Sequence, residues 1–278
     1  MDIERVIMEG ISQEVNEFDS QYQYNNEYPL TENDNPTLWR YMGLSKFVSL
    51  LEYNSLFFAK PKTFMDTYEG HFSKFDIDTK LHWSVEYLKR YDLNLSDYVK
   101  MCREYVGVIC WHMNDYESAA MWDLYLPSNE GIAIKTNYHK LINSLMENAP
   151  IYGGKVQYID FENEMASNNV FETLFYKRKS FNHENELRLI RLEDPRIYFN
   201  ENSNKFRTFT GKEFKGYKQL DDGPGININF DVQNLIESIY IAPKAPGWFA
   251  DVVRAILKKY NLNHIKVIHS DLYRDLVY

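Results

Sequence analysis

The 278-residue sequence contains two cysteines, Cys102 and Cys110. Two thiols cannot build a disulfide framework or a cysteine-based zinc site, and their apolar neighbours predict small buried side chains in a reducing compartment. Positive charge is also scarce: 31 Lys and Arg stand against 40 Asp and Glu, for a net charge of −9. General nucleic-acid binders draw most of their affinity from neutralising phosphates, so this balance argues against that class. No apolar run approaches a membrane span, and the amino terminus Met1-Asp-Ile-Glu-Arg carries charges where a signal peptide has an apolar core. These absences predict a cytoplasmic protein without a membrane partner.

The motif inventory is equally thin. With 12 glycines, the chain has no glycine-rich phosphate loop ending in Gly-Lys-Ser/Thr and no Gly-x-Gly-x-x-Gly after a strand. It has no Gly-x-Ser-x-Gly nucleophile elbow and no His-Glu-x-x-His. Its seven histidines show no ligand spacing, and no bound metal is expected.

What the chain does have is apolar and aromatic bulk. Hydrophobic residues make up 44%, with 22 Tyr, 17 Phe and 5 Trp, enough for a substantial core. The expected fold class is α/β, in the sense of a mixed α+β sheet. One compact domain over 38–278 would carry parallel and antiparallel strands flanked by helices, preceded by an extension over 1–37. The spacing predicts strands at Leu38–Tyr41, Leu56–Ala59, Val106–Trp111, Gly131–Lys135, Val156–Ile159, Leu187–Ile190, Ser238–Ala242 and Ile265–Ile268. It predicts helices near Ile3–Val15, from a Ser45 cap through Leu51, and around Leu81, Val85 and Leu88. Further helices are expected after Ser96, over Glu117–Tyr125, Tyr138–Met146 and Phe161–Tyr176, and over Trp248–Tyr260 behind Pro246. Residues 194–224 are turn-rich and read as a hairpin or flap.

Four segments could carry chemistry. In Lys177-Arg-Lys-Ser-Phe-Asn-His-Glu-Asn-Glu-Leu-Arg-Leu-Ile190 a basic loop runs into an apolar strand. In an extended backbone Glu184 and Glu186, two apart, leave on one face. Such a pair either works as acid, base or charge stabiliser, or is a strand face with Glu186 paired to Arg188 or a nearby lysine. Trp39-Arg40-Tyr41 could hold an anionic group and stack a base, or merely cover the core. In Cys110–Tyr125, His112, Ser118 and Trp122 sit where a strand end meets a helix start, a common ligand position and equally a packing motif. Asp66 and Glu69 in the loop Thr63–Gly70 could order a site or help bind a metal.

The ordered run Leu-Trp-Arg-Tyr, Leu-Phe-Phe-Ala-Lys-Pro, Phe-Met-Asp-Thr-Tyr-Glu, Cys-Trp-His, Ser-Ala-Ala-Met-Trp, Gly-Ile-Ala-Ile and Lys-Ser-Phe-x-His-Glu-x-Glu-Leu-Arg-Leu-Ile resembles the prokaryotic family called domain of unknown function 2971. The likeness runs from about Leu38 to Ile190, and the family name implies no activity. More distantly, the chain resembles ADP-ribosyltransferases of the arginine–serine–glutamate type. That likeness implies an ADP-ribosyltransferase-like fold with NAD as co-substrate and a protein or nucleic-acid acceptor. Glu186 would bind the nicotinamide-ribose hydroxyl, Glu184 would orient the acceptor, and Arg40 would hold a phosphate. Phe181 and His183 would lie in the acceptor loop, with Trp39, Tyr41, His112, Ser118 and Trp122 lining the nucleotide pocket. The family's Ser-Thr-Ser strand has no counterpart, since Ser118 opens a helix. The resemblance implies a glycosyl-transferring enzyme, an ADP-ribosyltransferase or NAD glycohydrolase, in toxin or antiphage defence. Two other readings compete: a metal-dependent nuclease or phosphodiesterase using Asp66, Glu69, Glu184 and Glu186, and a non-catalytic nucleotide-binding sensor.

Overall fold

The computed structural model describes residues 10, 13–14, 17–18, 30, 34–79, 88–89, 94–126, 129–146, 151–192, 198–200, 205–207 and 223–275. Most of the helix expected near Ile3–Val15, most of the one around Leu81–Leu88, and much of 194–224 lie outside them. The described order is β1 Thr37–Gly43, α1 Leu44–Tyr53, β2 Ser55–Ala59, α2 Lys74–Thr79, α3 Leu95–Arg103, β3 Val106–Met113, α4 Ala119–Tyr125, β4 Gly131–Asn137 and α5 Tyr138–Asn143. There follow β5 Ile151–Lys155, β6 Gln157–Ile159, β7 Tyr176–Arg178, β8 Glu186–Leu192, β9 Tyr198–Asn200, β10 Lys205–Arg207, β11 Gly225–Asn229, α6 Val232–Leu235, β12 Ser238–Ile241, α7 Gly247–Lys259 and β13 Lys266–His269.

Among the described residues, nine strands form one mixed sheet in the order β11-β2-β3-β1-β4-β12-β13, extended by β8 on β3 and β5 on β8. Within it β12 and β13 run parallel and the other pairs antiparallel. β6 and β7 form a small parallel pair, and β9 and β10 an antiparallel pair inside the segment read as a hairpin or flap. The α/β expectation of a mixed sheet flanked by helices is therefore met. No helix among the described residues is long and apolar enough to cross a membrane.

β3 is the hinge of the arrangement because both its faces are covered. Its odd-numbered Ile109, Trp111 and Met113 enter a core with Leu38, Phe47, Phe58, Ile134 and Phe249, beneath α1 and α7. Its even-numbered Val106 and Val108 enter a second core with Val99, Cys102, Phe171, Phe175 and Ile190. Side chains alternate along a strand, so each face of β3 serves one core. The described residues of the amino-terminal extension join both: Phe18 is 1% exposed in the second core and Leu30 packs into the first.

Two local expectations need correction. Ser45 is not the cap of α1; Gly43 holds that position, and no side chain caps this end. The largest difference is at Phe161–Tyr176, which is not an amphipathic helix. It is a run of turns ending in a short 3-10 helix, Glu172–Phe175, with Met165 exposed. Polar side chains divert its backbone. Asp76 Oδ2, fully buried, accepts from the N–H groups of Ala166 at 3.1 Å and Ser167 at 3.2 Å. Asn169 Oδ1 accepts from the N–H groups of Phe171 and Glu172. Such bonds offer the backbone an alternative to helical pairing, and here they prevail.

Candidate functional site

Alternation along β8 sends Leu187 and Leu189 into the first core, and turns Glu186 and Arg188 toward the face that carries Ile190 and Leu192. Two buried charges in a strand require partners, because an unpaired buried ion costs several kcal/mol. The partners come from three segments. β7 supplies Lys177. The loop before α2 supplies Glu69, followed by Gly70 at φ +70°, where a Cβ would come within 2.8 Å of Leu174 Cδ2. The 3-10 turn Lys179–Glu184 supplies Glu184 and ends at Asn185, in the left-handed region with φ 38°. The Asn185 carbonyl accepts from Met113 N–H at 2.8 Å and its side-chain amide donates to the Met113 carbonyl at 2.6 Å, which fixes the turn at the head of β8.

Glu184 thus lies outside the strand, so the shared-face geometry expected from an extended backbone is not what joins it to Glu186. Lys177 joins them. Its Nζ stands 2.9 Å from Glu184 Oε1, 2.9 Å from Glu186 Oε1 and 3.4 Å from Glu69 Oε1. Arg188 completes the cluster: Nε donates to Glu186 Oε2 at 2.7 Å, Nη2 pairs with Glu69 Oε2, and Nη1 donates to the Leu174 carbonyl at 2.7 Å. Tyr125 hydroxyl donates to Glu184 Oε2 at 3.0 Å, and Glu186 N–H donates to Tyr158 hydroxyl at 2.9 Å. The ion-pair alternative for Glu186 is therefore present, but buried rather than solvated, since Glu186 is 3% exposed.

Three carboxylates surround two cations, leaving one negative charge in excess unless a proton is taken up. The two central carboxyls divide accordingly. Burial pushes Glu186 upward, but Arg188 and Lys177 outweigh it and hold the group well below the ordinary carboxylate range. Burial and the neighbouring Glu186 push Glu184 up to about 7. Burial opposes the Lys177 ammonium, yet Glu186 and Glu69 prevail and raise it. Paired carboxyls driven apart by their surroundings are the arrangement acid–base chemistry uses near neutral pH.

The other expected site residues occupy distinct places. His112 stands opposite Glu186 in the β3–β8 register, and its Nδ1 donates to the Glu184 carbonyl at 2.6 Å. Burial lowers its pKa, and its buried Nε2 has no hydrogen-bond partner among the described residues. Tyr41 packs edge-on against Trp122 at 4.9 Å, and its hydroxyl accepts from Ser118 N–H at 2.8 Å. Ser118 is the N-cap of α4. Trp39, 2% exposed, packs on Tyr240 and donates to the Asn114 carbonyl. β1 is registered on β3 only at Leu38 and Trp39, and Arg40 donates to the Cys110 carbonyl at 2.7 Å just beyond that ladder. Phe181 lies 4.9 Å beneath the Lys177 ammonium, and His183 is exposed.

Of the four carboxylates in the metal-dependent reading, Glu69, Glu184 and Glu186 converge on Lys177, while Asp66 pairs with Arg178 at 2.9 Å. The Lys177 ammonium occupies the space between these three glutamates. Beside this cluster, Arg178 stacks on Tyr68 and helps line a cleft of 370 Å³ with Phe161 and Lys179. Sequence reasoning missed Lys177 as the centre and Tyr125 as a partner. Lys177 was visible only as one charge in a basic run, and Tyr125 only as part of an aromatic helix stripe. Comparison with protein-family models, with curated proteins and with solved structures finds no match to this chain.

Proposed function

We propose that the chain is an NAD-using glycosyl-transfer enzyme, an ADP-ribosyltransferase or NAD glycohydrolase, with Glu184 and Glu186 as its working pair. The observation that carries this reading is the division of labour between the two carboxyls. Glycosyl transfer proceeds through an oxocarbenium-like transition state and uses one ionised carboxylate and one group able to exchange a proton. Glu186, kept ionised by Arg188 and Lys177, suits the first role: it would accept from the nicotinamide-ribose hydroxyl and face the developing positive charge. Glu184, with its pKa near 7, suits the second as general base for the acceptor. Both residues are at most 4% exposed, so NAD reaches them only by displacing part of what covers them.

Incubation of the purified protein with NAD, monitored for nicotinamide, tests the reading. Release is expected, with a fall of at least about 10²-fold in folded Glu186→Gln, the scale of losing one preorganised electrostatic contact. Protein that neither binds nor consumes NAD overturns it.

A further inference from the structure

Near the amino terminus, Gly10, Glu14 and Phe18 are helical and four apart, so they leave on one face. That face is turned inward. A Cβ on Gly10 would stand 3.3 Å from the Tyr98 hydroxyl, and Phe18 packs against Tyr152, Phe171 and Phe175 in the second core. Glu14 lies between them. Its Oε2 accepts from Val170 N–H at 3.0 Å, and its carbonyl accepts from Asn169 Nδ2 at 2.7 Å. No lysine, arginine or histidine pairs with this carboxyl among the described residues. The titratable groups facing it are Glu17 on its own segment and Tyr98 and Cys102 on α3, the last two held protonated by burial. An ionised carboxylate in such a place costs free energy that a protonated one does not. The docking surface also leads to the glutamate cluster. Asn169 and Val170 begin the run that ends in Glu172–Phe175, and the Leu174 carbonyl of that run accepts from Arg188 Nη1 at 2.7 Å.

We infer that the amino-terminal segment is a proton-held strap, closed over the second core and the 169–175 turn while Glu14 is protonated and lifting from them as Glu14 ionises. This holds whatever reaction the cluster performs. Burial and the nearby Glu17 push the Glu14 carboxyl up to about 7, against the opposing Val170 N–H. The docked state therefore keeps a proton that the lifted state, with its carboxyl at the ordinary 4.5, has released. Docking gains fully from this proton below 4.5, and the gain is lost as pH rises through 7.

Amide exchange of the full chain tests the strap, read as opening equilibria in peptides covering 10–18 and 169–175 at about pH 5.5 and about pH 8. Opening of both is expected to rise about tenfold or more between these conditions. Glu14→Gln, which keeps the acceptor and never ionises, should open equally at both, while Glu17→Gln should keep the parent's rise. No rise in the parent, or the same rise in Glu14→Gln, overturns the strap; a rise confined to 10–18 overturns its hold on the turn. The carbon-13 shift of the Glu14 carboxyl needs no variant: a midpoint near 7 is expected, and one near 4.5 overturns the inference.

Discussion

Arg188 Nε donates to Glu186 Oε2 at 2.7 Å, two residues away along the same strand and wholly inside the protein. Neighbours at i and i+2 share a face of a strand, so this pair is set by local geometry alone. Its cost in desolvation is offset because both groups have further partners, Lys177 for Glu186 and the Leu174 carbonyl for Arg188.

Removing the central cation should unbalance the whole cluster. Lys177→Met leaves Glu69, Glu184 and Glu186 facing Arg188 alone, and a loss of about 3–5 kcal/mol is expected in urea unfolding. Adding Glu184→Gln should recover part of that loss by deleting one excess charge. Strictly additive effects in the double variant would show that the groups are not coupled.

Glu184 also sets a pH dependence. Its folded pKa of about 7 lies above the ordinary 4.5, so between those values the folded state keeps a proton that the unfolded chain has released. Stability from this group is full below 4.5 and declines as pH rises towards 7, by roughly 1–2 kcal/mol after allowance for relaxation of the cluster. Glu186 is shifted the other way, so its contribution is present above 4.5 and fades in acid. Glu14, which burial pushes up to about 7, adds a slope of the same sign as Glu184. Unfolding free energies measured from pH 4.5 to 7 should therefore fall less steeply in Glu184→Gln than in the parent. Equal slopes would contradict the assignment.

Asp76 organises the turns that replace the expected helix. One oxygen receives Ser73 N–H at 3.0 Å and Ser73 hydroxyl at 2.8 Å besides Ala166 and Ser167. Asp76→Ala strands these buried donors and should cost about 2–3 kcal/mol. The readout is the thermal midpoint, together with increased amide exchange over 160–170; a midpoint within a degree or so of the parent counts against the account.

Phe18 packs edge-on to Tyr152 at 4.8 Å and near Phe175 at 6.5 Å. Phe18→Ala is expected to cost about 3 kcal/mol, the scale of an unfilled aromatic cavity. An effect below about 0.5 kcal/mol in denaturant titration would mean that the amino-terminal segment contributes little to the second core.

Several elements were legible because the signal is local. Val106–Trp111 reads as a strand covered on both faces, and two separate cores do cover β3. Ser238–Ala242, the helix behind Pro246 and Ile265–Ile268 appear nearly as spaced, ending in a parallel β12–β13 pair around α7. Phe161–Tyr176 misled because apolar spacing reports which residues are buried, not which backbone donors a distant Asp76 will claim.

The glutamates divide along the same line. Chain distance alone put Glu184 close to Glu186 and offered Arg188 or a nearby lysine as a partner for Glu186, but the one face expected for Glu184 and Glu186 assumed an extended backbone that the turn before β8 does not have. Long-range packing buries Glu186 and Arg188, brings Lys177 and Glu69 to them from other segments, and sets the Tyr125 hydroxyl on Glu184. Burial and long-range partners, not spacing, separate the two carboxyls into one kept ionised and one able to hold a proton.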